Sequence, residues 1–203
     1  MKRVAVFASG RGSNLAALIA GQTSFSSYRI ALVVSNRAAA GALSIAKQAG
    51  IPARDIPSRG VKRQEHEIAN LASLAAESID ILCLAGYMRV LSPSFIEAFD
   101  KPILNIHPSL LPAFPGMHAQ KQALDAGVRW SGATVHFVDS GMDTGPIILQ
   151  EPVPILEDDT EDSLSGRILE IEHRLFPQAL DTVARNNYQI RGRKVFFGLG
   201  HSQ

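Results

Sequence analysis

Only one cysteine, Cys83, occurs among the 203 residues. A single thiol can neither close an internal disulfide nor complete a cysteine-rich zinc site, which points to a reducing compartment. An excess of charge of either sign is missing too: 20 basic residues face 19 acidic ones. No global field draws such a chain to nucleic acid or anionic lipid. Long apolar runs are absent. Val4-Ala5-Val6-Phe7-Ala8 follows Met1-Lys2-Arg3 but stops at Ser9-Gly10-Arg11, too short for the apolar region of a signal peptide. Nothing approaches the roughly 20 apolar residues of a membrane span. With 16 glycines and 11 prolines, composition is ordinary, which excludes collagenous and low-complexity chains. The expectation is a soluble cytoplasmic protein of one domain, long enough to bury a core, with neither nucleic acid nor membrane as partner.

What is present alternates. Short apolar runs at 4–8, 30–34, 79–85 and 103–106 read as strands buried on both faces, with a weaker strand at 51–56 interrupted by Pro52. Between them lie helical patterns at 14–20, 42–48 and about 61–78. In the last of these, Ile68, Leu71, Ala72, Ala75 and Ile79 mark the expected inner face, which leaves His66 at the surface. The alternation predicts an α/β fold, an open and mostly parallel Rossmann-like sheet with helices on both faces. Later segments predict a short helix near 118–126, strands at 133–138 and 146–153, and a long helix from Asp158 to Val183. Asp158 and Glu161 suggest its capping box, Leu164, Ile168, Ile171 and Leu175 its apolar stripe, and Pro177 a kink. The stretch from Asn186 onward is basic and aromatic and predicts no element.

Three segments carry chemistry. Ser9-Gly10-Arg11-Gly12-Ser13-Asn14-Leu15 joins the first strand to the first helix, where parallel sheets gather ligands. Leu15 stands where a dinucleotide fingerprint needs glycine, and no Gly-Lys pair exists for a P-loop. A phosphate cradle remains, beside the alternative of a structural turn in which Ser13 or Asn14 caps the helix. Asn105-Ile106-His107-Pro108-Ser109 ends a predicted strand, with Asn105 and His107 on one side. An amide donor beside an imidazole suits acyl transfer, since one can bond an oxyanion while the other moves a proton; a hydrogen-bonded turn is the alternative. The loop from Asp139 to Pro146 holds two acids, and a carboxylate beside His107 would raise its pKa. His107, His118 and His136 are dispersed without metal-ligand spacing, so no metal is expected. Cys83 reads as a buried inert thiol, and Met88, taken by itself, as core.

Together these segments resemble the phosphoribosylglycinamide formyltransferases. The resemblance is carried by Ser9 to Leu15, Leu84 to Leu91, Leu104 to Pro112, His136-Phe137-Val138, Asp143 to Ile148 and Glu172-His173. Methionyl-tRNA formyltransferases carry an added C-terminal domain and formyltetrahydrofolate deformylases an added N-terminal one, for which this chain has no room. The resemblance implies a phosphate-binding half over about 1–100, a folate and catalytic half over about 101–185, and a tail at 186–203. It implies Gly12, Ser13, Asn14, Leu15 and Glu172 as contacts of the ribonucleotide. Met88, Arg89, Val90 and Leu91 would meet 10-formyltetrahydrofolate, the cosubstrate, as would Arg63 or in its place Lys62. Asn105 and the segment Asp139, Ser140, Gly141, Met142 and Asp143 would complete that folate site. Asn105, protonated His107 and Asp143 would be catalytic, with no metal, and the protein a monomer or homodimer. Thr144 departs mildly from the family, some members having a smaller residue there. A related hydrolase, a formyltransferase for another amine and a non-catalytic phosphosugar or folate binder are the alternatives.

Overall fold

The computed structural model describes residues 1–198; the end of the tail, 199–203 with His201, lies outside the described residues. Two compact units divide the chain, Met1–Leu104 and Asn105–Gln203.

In the first unit, β1 (Lys2–Phe7) pairs in parallel with β2 (Tyr28–Ser35) and β4 (Ile81–Leu84), and β3 (Ala53–Asp55) pairs in parallel with β2. Val4 faces Ile30 on one side and Ile81 on the other, and Phe7 faces Val34 and Leu84. Successive residues of a strand point to opposite faces, yet Val4 through Ala8 are all fully buried. Both faces of this parallel sheet are therefore covered, as the unbroken apolar runs predict. The helices are α1 (Ser13–Ala20), α2 (Gly41–Gln48), α3 (Arg63–Ala76) and α4 (Pro93–Phe99). The expected strand at 51–56 is reduced to three residues after Pro52.

The face of α3 differs from expectation. Ile68 is 58% exposed, and Ala72 and Ala75 are exposed with it, whereas His66, Glu67, Asn70, Ser73 and Leu74 are buried. The polar residues can go inside because each finds a partner there: His66 with the Pro57 carbonyl and Tyr87, Glu67 with Ser92, and Ser73 with Arg54. Apolar periodicity cannot register such partners, since they lie outside the helix.

β5 (Ile103–His107) begins in the first unit and ends in the second. There α5 (Ala119–Asp125) precedes β6 (Trp130–Phe137), which pairs antiparallel with β7 (Ile147–Pro154). Their register shifts between Val135 and His136. Such a bulge re-aims the side chains beside it. The long α6 (Glu161–Arg185) packs on β6 and β7 and passes through Pro177 without ending. Its capping box is Thr160 with Ser163, rather than Asp158 with Glu161. Asp159 is instead paired with Arg167, which fixes the turn before the helix. Leu164, Ile168, Leu175, Phe176, Ala179, Leu180 and Val183 form the buried stripe, with Ile171 at its margin and Glu172 within it. The segment after Asn186 is a hairpin, β8 (Tyr188–Arg191) and β9 (Lys194–Phe197), whose β9 joins β7 at Ile147. Among the described residues no helix is long and apolar enough to cross a membrane.

Candidate active site

The second unit gathers four polar side chains from two separate stretches of the sequence, 105–107 and 136–143. Asn105 and His107 project from β5, His136 from the bulged end of β6, and Asp143 from the loop before β7. Asp143 Oδ2 lies 3.4 Å from His107 Nδ1, and Asp143 Oδ1 lies 3.6 Å from His136 Nε2. Asn105 Nδ2 lies 3.2 Å from the same His136 nitrogen. His107 and His136 are 4% and 2% exposed, so this polar group is largely withdrawn from water.

Backbone geometry sets the carboxylate. Asp143 sits in the left-handed region, at φ 54°, which aspartate tolerates better than most side chains. Next to it, a Cβ on Gly145 would collide with the Phe137 carbonyl oxygen, so the loop can close onto β6 only with glycine there. The Thr144 hydroxyl donates to Asp139 Oδ1 at 2.7 Å, which gives the departure from smaller residues a local use in closing this turn. The segment after β5 also reaches the site. The Gly116 amide donates to Asp143 Oδ2 at 2.8 Å, and the Phe114 carbonyl lies 2.9 Å from His107 Nε2.

These partners dictate protonation. The Phe114 carbonyl can only accept, so His107 carries a hydrogen on Nε2, and its Nδ1 is turned to a second acceptor, Asp143. Only the imidazolium serves both edges. Burial nevertheless holds the His107 pKa below the ordinary 6.5, overriding the Phe114 carbonyl and the Asp143 charge. The expectation that Asp143 raises this pKa holds for its own contribution but not for the net direction. For Asp143, burial opposes ionisation, yet the His136 ring, the Gly116 amide and the His107 charge outweigh it and hold the carboxyl below its usual range. At His136, Nδ1 lies 2.8 Å from the Phe137 carbonyl and so carries the hydrogen, while Nε2 faces both the Asn105 amide and Asp143 Oδ1: the neutral ring accepts from the amide there, and the protonated ring donates to the carboxylate. In the sequence His136 is only a dispersed histidine and part of a matched stretch. Strand alternation along β6 gives no sign that it meets Asp143, because the bulge and a distant loop bring them together.

The other expected residues are placed as follows. In the first unit, Gly12 is the N-cap of α1 at φ 86°, and a Cβ there would lie 2.8 Å from Ala42 Cα. The N-cap position therefore falls on Gly12 rather than on Ser13 or Asn14. Leu15 is wholly buried, which leaves only its main chain for a ligand. Met88 and Val90 are 59% and 60% exposed, correcting the reading of Met88 as core, while Leu91 is buried and Arg89 half-buried. Arg63, rather than Lys62, touches this segment: its Nη2 donates to the Val90 carbonyl at 2.8 Å. Ser9, two residues past β1, accepts from the Met88 amide at 2.8 Å while donating to Asn36 at 2.6 Å. In the second unit, Asp139 is half-buried, Ser140, Gly141 and Met142 are exposed, and Glu172 is buried on α6. His118 lies apart from the cluster's ion pairs and is 4.0 Å from Glu161. Burial drives the Cys83 thiol pKa well up, as expected of an inert thiol. Among the described residues no group of three or more His, Cys, Asp or Glu is arranged to hold a metal ion.

Residues 2–180 match the formyl transferase family. The chain belongs to that family. It is 40% identical over 201 residues to the phosphoribosylglycinamide formyltransferase of Mycobacterium tuberculosis, covering 97% of this chain and 91% of that protein. It is 52% identical over 183 residues to the trifunctional purine biosynthetic protein adenosine-3 of Drosophila melanogaster, over 88% of this chain. The chain spans only 14% of the length of that trifunctional relative. Among solved structures, glycinamide ribonucleotide transformylase 1 from Symbiobacterium toebii superposes with a TM-score of 0.93 at 46% identity, covering 97% of this chain and 94% of that one. The α/β formyl transferase fold is thus shared along nearly the whole chain.

Proposed function

We propose that this formyl transferase moves the formyl group of 10-formyltetrahydrofolate to the primary amine of N1-(5-phosphoribosyl)glycinamide, in purine synthesis. The observation that carries the reading is the Asp143 carboxylate set between two imidazoles, with the Asn105 amide on the same His136 nitrogen. The names of the relatives support the phosphoribosylglycinamide acceptor, the sequence resemblance supports the folate donor, and the cluster supplies a chemistry suited to both.

The amine attacks the formyl carbon, a C–N bond forms, and the carbonyl oxygen becomes an oxyanion. Asn105 spends one N–H on His136 and keeps a second for that oxygen. His107 starts neutral because burial disfavours its charge, and it takes the proton released by the amine at Nδ1, the edge turned to Asp143. The imidazolium so formed is the state that both Phe114 and Asp143 favour, and its charge supports the oxyanion. Return of that proton to the departing N10, with cleavage of the C–N10 bond, gives the formamide and tetrahydrofolate. The earlier expectation of a protonated His107 therefore applies to the intermediate rather than to the resting site.

Gly12, Ser13, Asn14 and the main chain of Leu15 bind the ribonucleotide phosphate in this reading, where the start of α1 favours an anion. Glu172 contacts the same substrate. Arg63, Met88, Arg89, Val90, Leu91 and the 139–143 segment bind the folate. The chain works as one formyl transferase domain, cytoplasmic, monomeric or homodimeric, with small-molecule substrates and without a metal.

The test is to mix protein, folate cosubstrate and ribonucleotide and follow loss of the formyl group from the folate. Turnover that requires the amine is expected. Formyl loss without the amine would identify a hydrolase, and folate binding without turnover a binder.

A further inference from the structure

The buried carboxylate of Glu67 has no part in the chemistry above, yet it is 8% exposed and fully engaged. Its Oε1 accepts from Arg63 Nε at 3.1 Å and from the Ser92 amide at 3.0 Å, and its Oε2 accepts from the Ser92 hydroxyl. Ser92 Oγ in turn accepts from the Phe95 amide as N-cap of α4. Arg63, held this way, donates onward to the Val90 carbonyl. The neighbouring His66 reaches Tyr87 Oη at 2.8 Å, and Met88 is tied to Ser9. One turn of α3 therefore grips both ends of the 87–92 segment, whose Met88 and Val90 side chains are left exposed between the grips. Burying an acid in a helix beside an exposed isoleucine, Ile68, is a poor choice for stability alone, and the bonds it makes all lead to this segment.

We propose that Glu67 is a positioning residue for the folate cosubstrate: through Arg63 and Ser92 it fixes the main chain of Val90 to Ser92 in the shape that receives the ligand. This rests on the folate assignment of Met88 to Leu91 above. It makes the carboxylate specific to one substrate, because none of its bonds reaches Gly12 to Leu15 or the Asp143 cluster.

Glu67→Gln keeps an acceptor for the Ser92 amide but removes the charge that holds Arg63. The expected result is a rise of about tenfold in KM for 10-formyltetrahydrofolate, with kcat and the ribonucleotide KM within about twofold of wild type. Ser92→Asp, which keeps a good cap on α4 but sets a second carboxylate against Glu67, should give the same folate-selective rise, and it decides the matter if Glu67→Gln folds poorly. An unchanged folate KM in a folded variant, or equal damage to kcat and both KM values, overturns the proposal. If the wild-type protein transfers no formyl group, the functional reading is what fails. The clamp is then judged in the ligand-free protein by amide exchange at residues 90–92, faster in Glu67→Gln if the clamp exists and unchanged if it does not.

Discussion

Asp143 faces His107 with one carboxylate oxygen and His136 with the other, at 3.4 and 3.6 Å, while the Gly116 amide donates to the oxygen on the His107 side. The acid is thereby held ionised next to an imidazole that burial keeps neutral, and a proton arriving on His107 is met by a fixed negative charge.

Asp143→Asn keeps the shape and removes that charge. Turnover should fall by about 10²–10³, or roughly 2.7–4 kcal/mol, the usual loss for a preorganised electrostatic contact. Substrate binding should change much less. Because Asp143 acts through His107, the double variant with His107→Ala should be little worse than His107→Ala alone. Steady-state kinetics of the four proteins decide this, and fully additive losses would show that Asp143 works independently.

His136 orients the Asn105 amide by accepting one of its two N–H bonds. His136→Ala should lower kcat by about tenfold, equivalent to about 1.4 kcal/mol, with folate and ribonucleotide KM nearly unchanged. In an Asn105→Ala background the same change should have almost no further effect. A tenfold loss retained in that background would detach His136 from Asn105.

Stability should weaken on the acid side of pH 6.5. Burial lowers the pKa of His66, His107 and His173 from the ordinary 6.5. As pH falls below that value the unfolded chain takes up protons that the folded protein refuses, so the unfolded state gains. Asp143 and Glu67 add a second loss further down: bound partners hold both carboxyls below their usual range, a stabilisation present above the unfolded values and lost as pH falls through the folded ones. Urea midpoints should be level between about pH 7 and 8 and fall steadily from about pH 6.5 to 4. A midpoint constant from 7.5 down to 5.5 would contradict the buried neutral histidines.

The C-terminal hairpin should serve stability rather than chemistry. It supplies β9 as a neighbour of β7 at Ile147 and stacks Tyr188 on Phe137, with centroids 5.0 Å apart. A chain ending at Asn186 loses that aromatic pair, which contributes about 0.5–1.5 kcal/mol beyond its buried area, and exposes the edge of β7. Its melting temperature should drop by several degrees, with turnover per folded molecule at 25 °C unchanged. A folded truncation that binds substrates but does not turn over would place the hairpin in the mechanism.

Much of this was written locally. Strands β1, β2, β4 and β5 are legible because a strand buried on both faces needs an unbroken apolar run, and helices α1 and α6 because 3.6-residue periodicity follows from their one-sided burial. Asn105 and His107 declare themselves as an amide and an imidazole two residues apart at a strand end, and Gly12 by its place in the glycine motif between the first strand and the first helix. What the tertiary structure decided involves partners that are distant in sequence. The buried face of α3 is not legible locally because His66 and Glu67 are satisfied by Tyr87 and Ser92, which no periodicity within the helix can report. His136 joins Asp143 only through a register shift in β6 and a loop pinned at Gly145. Even the sign of the His107 shift is a tertiary matter: the sequence supplies the carboxylate, but the burial that outweighs it exists only once the chain has packed around the ring.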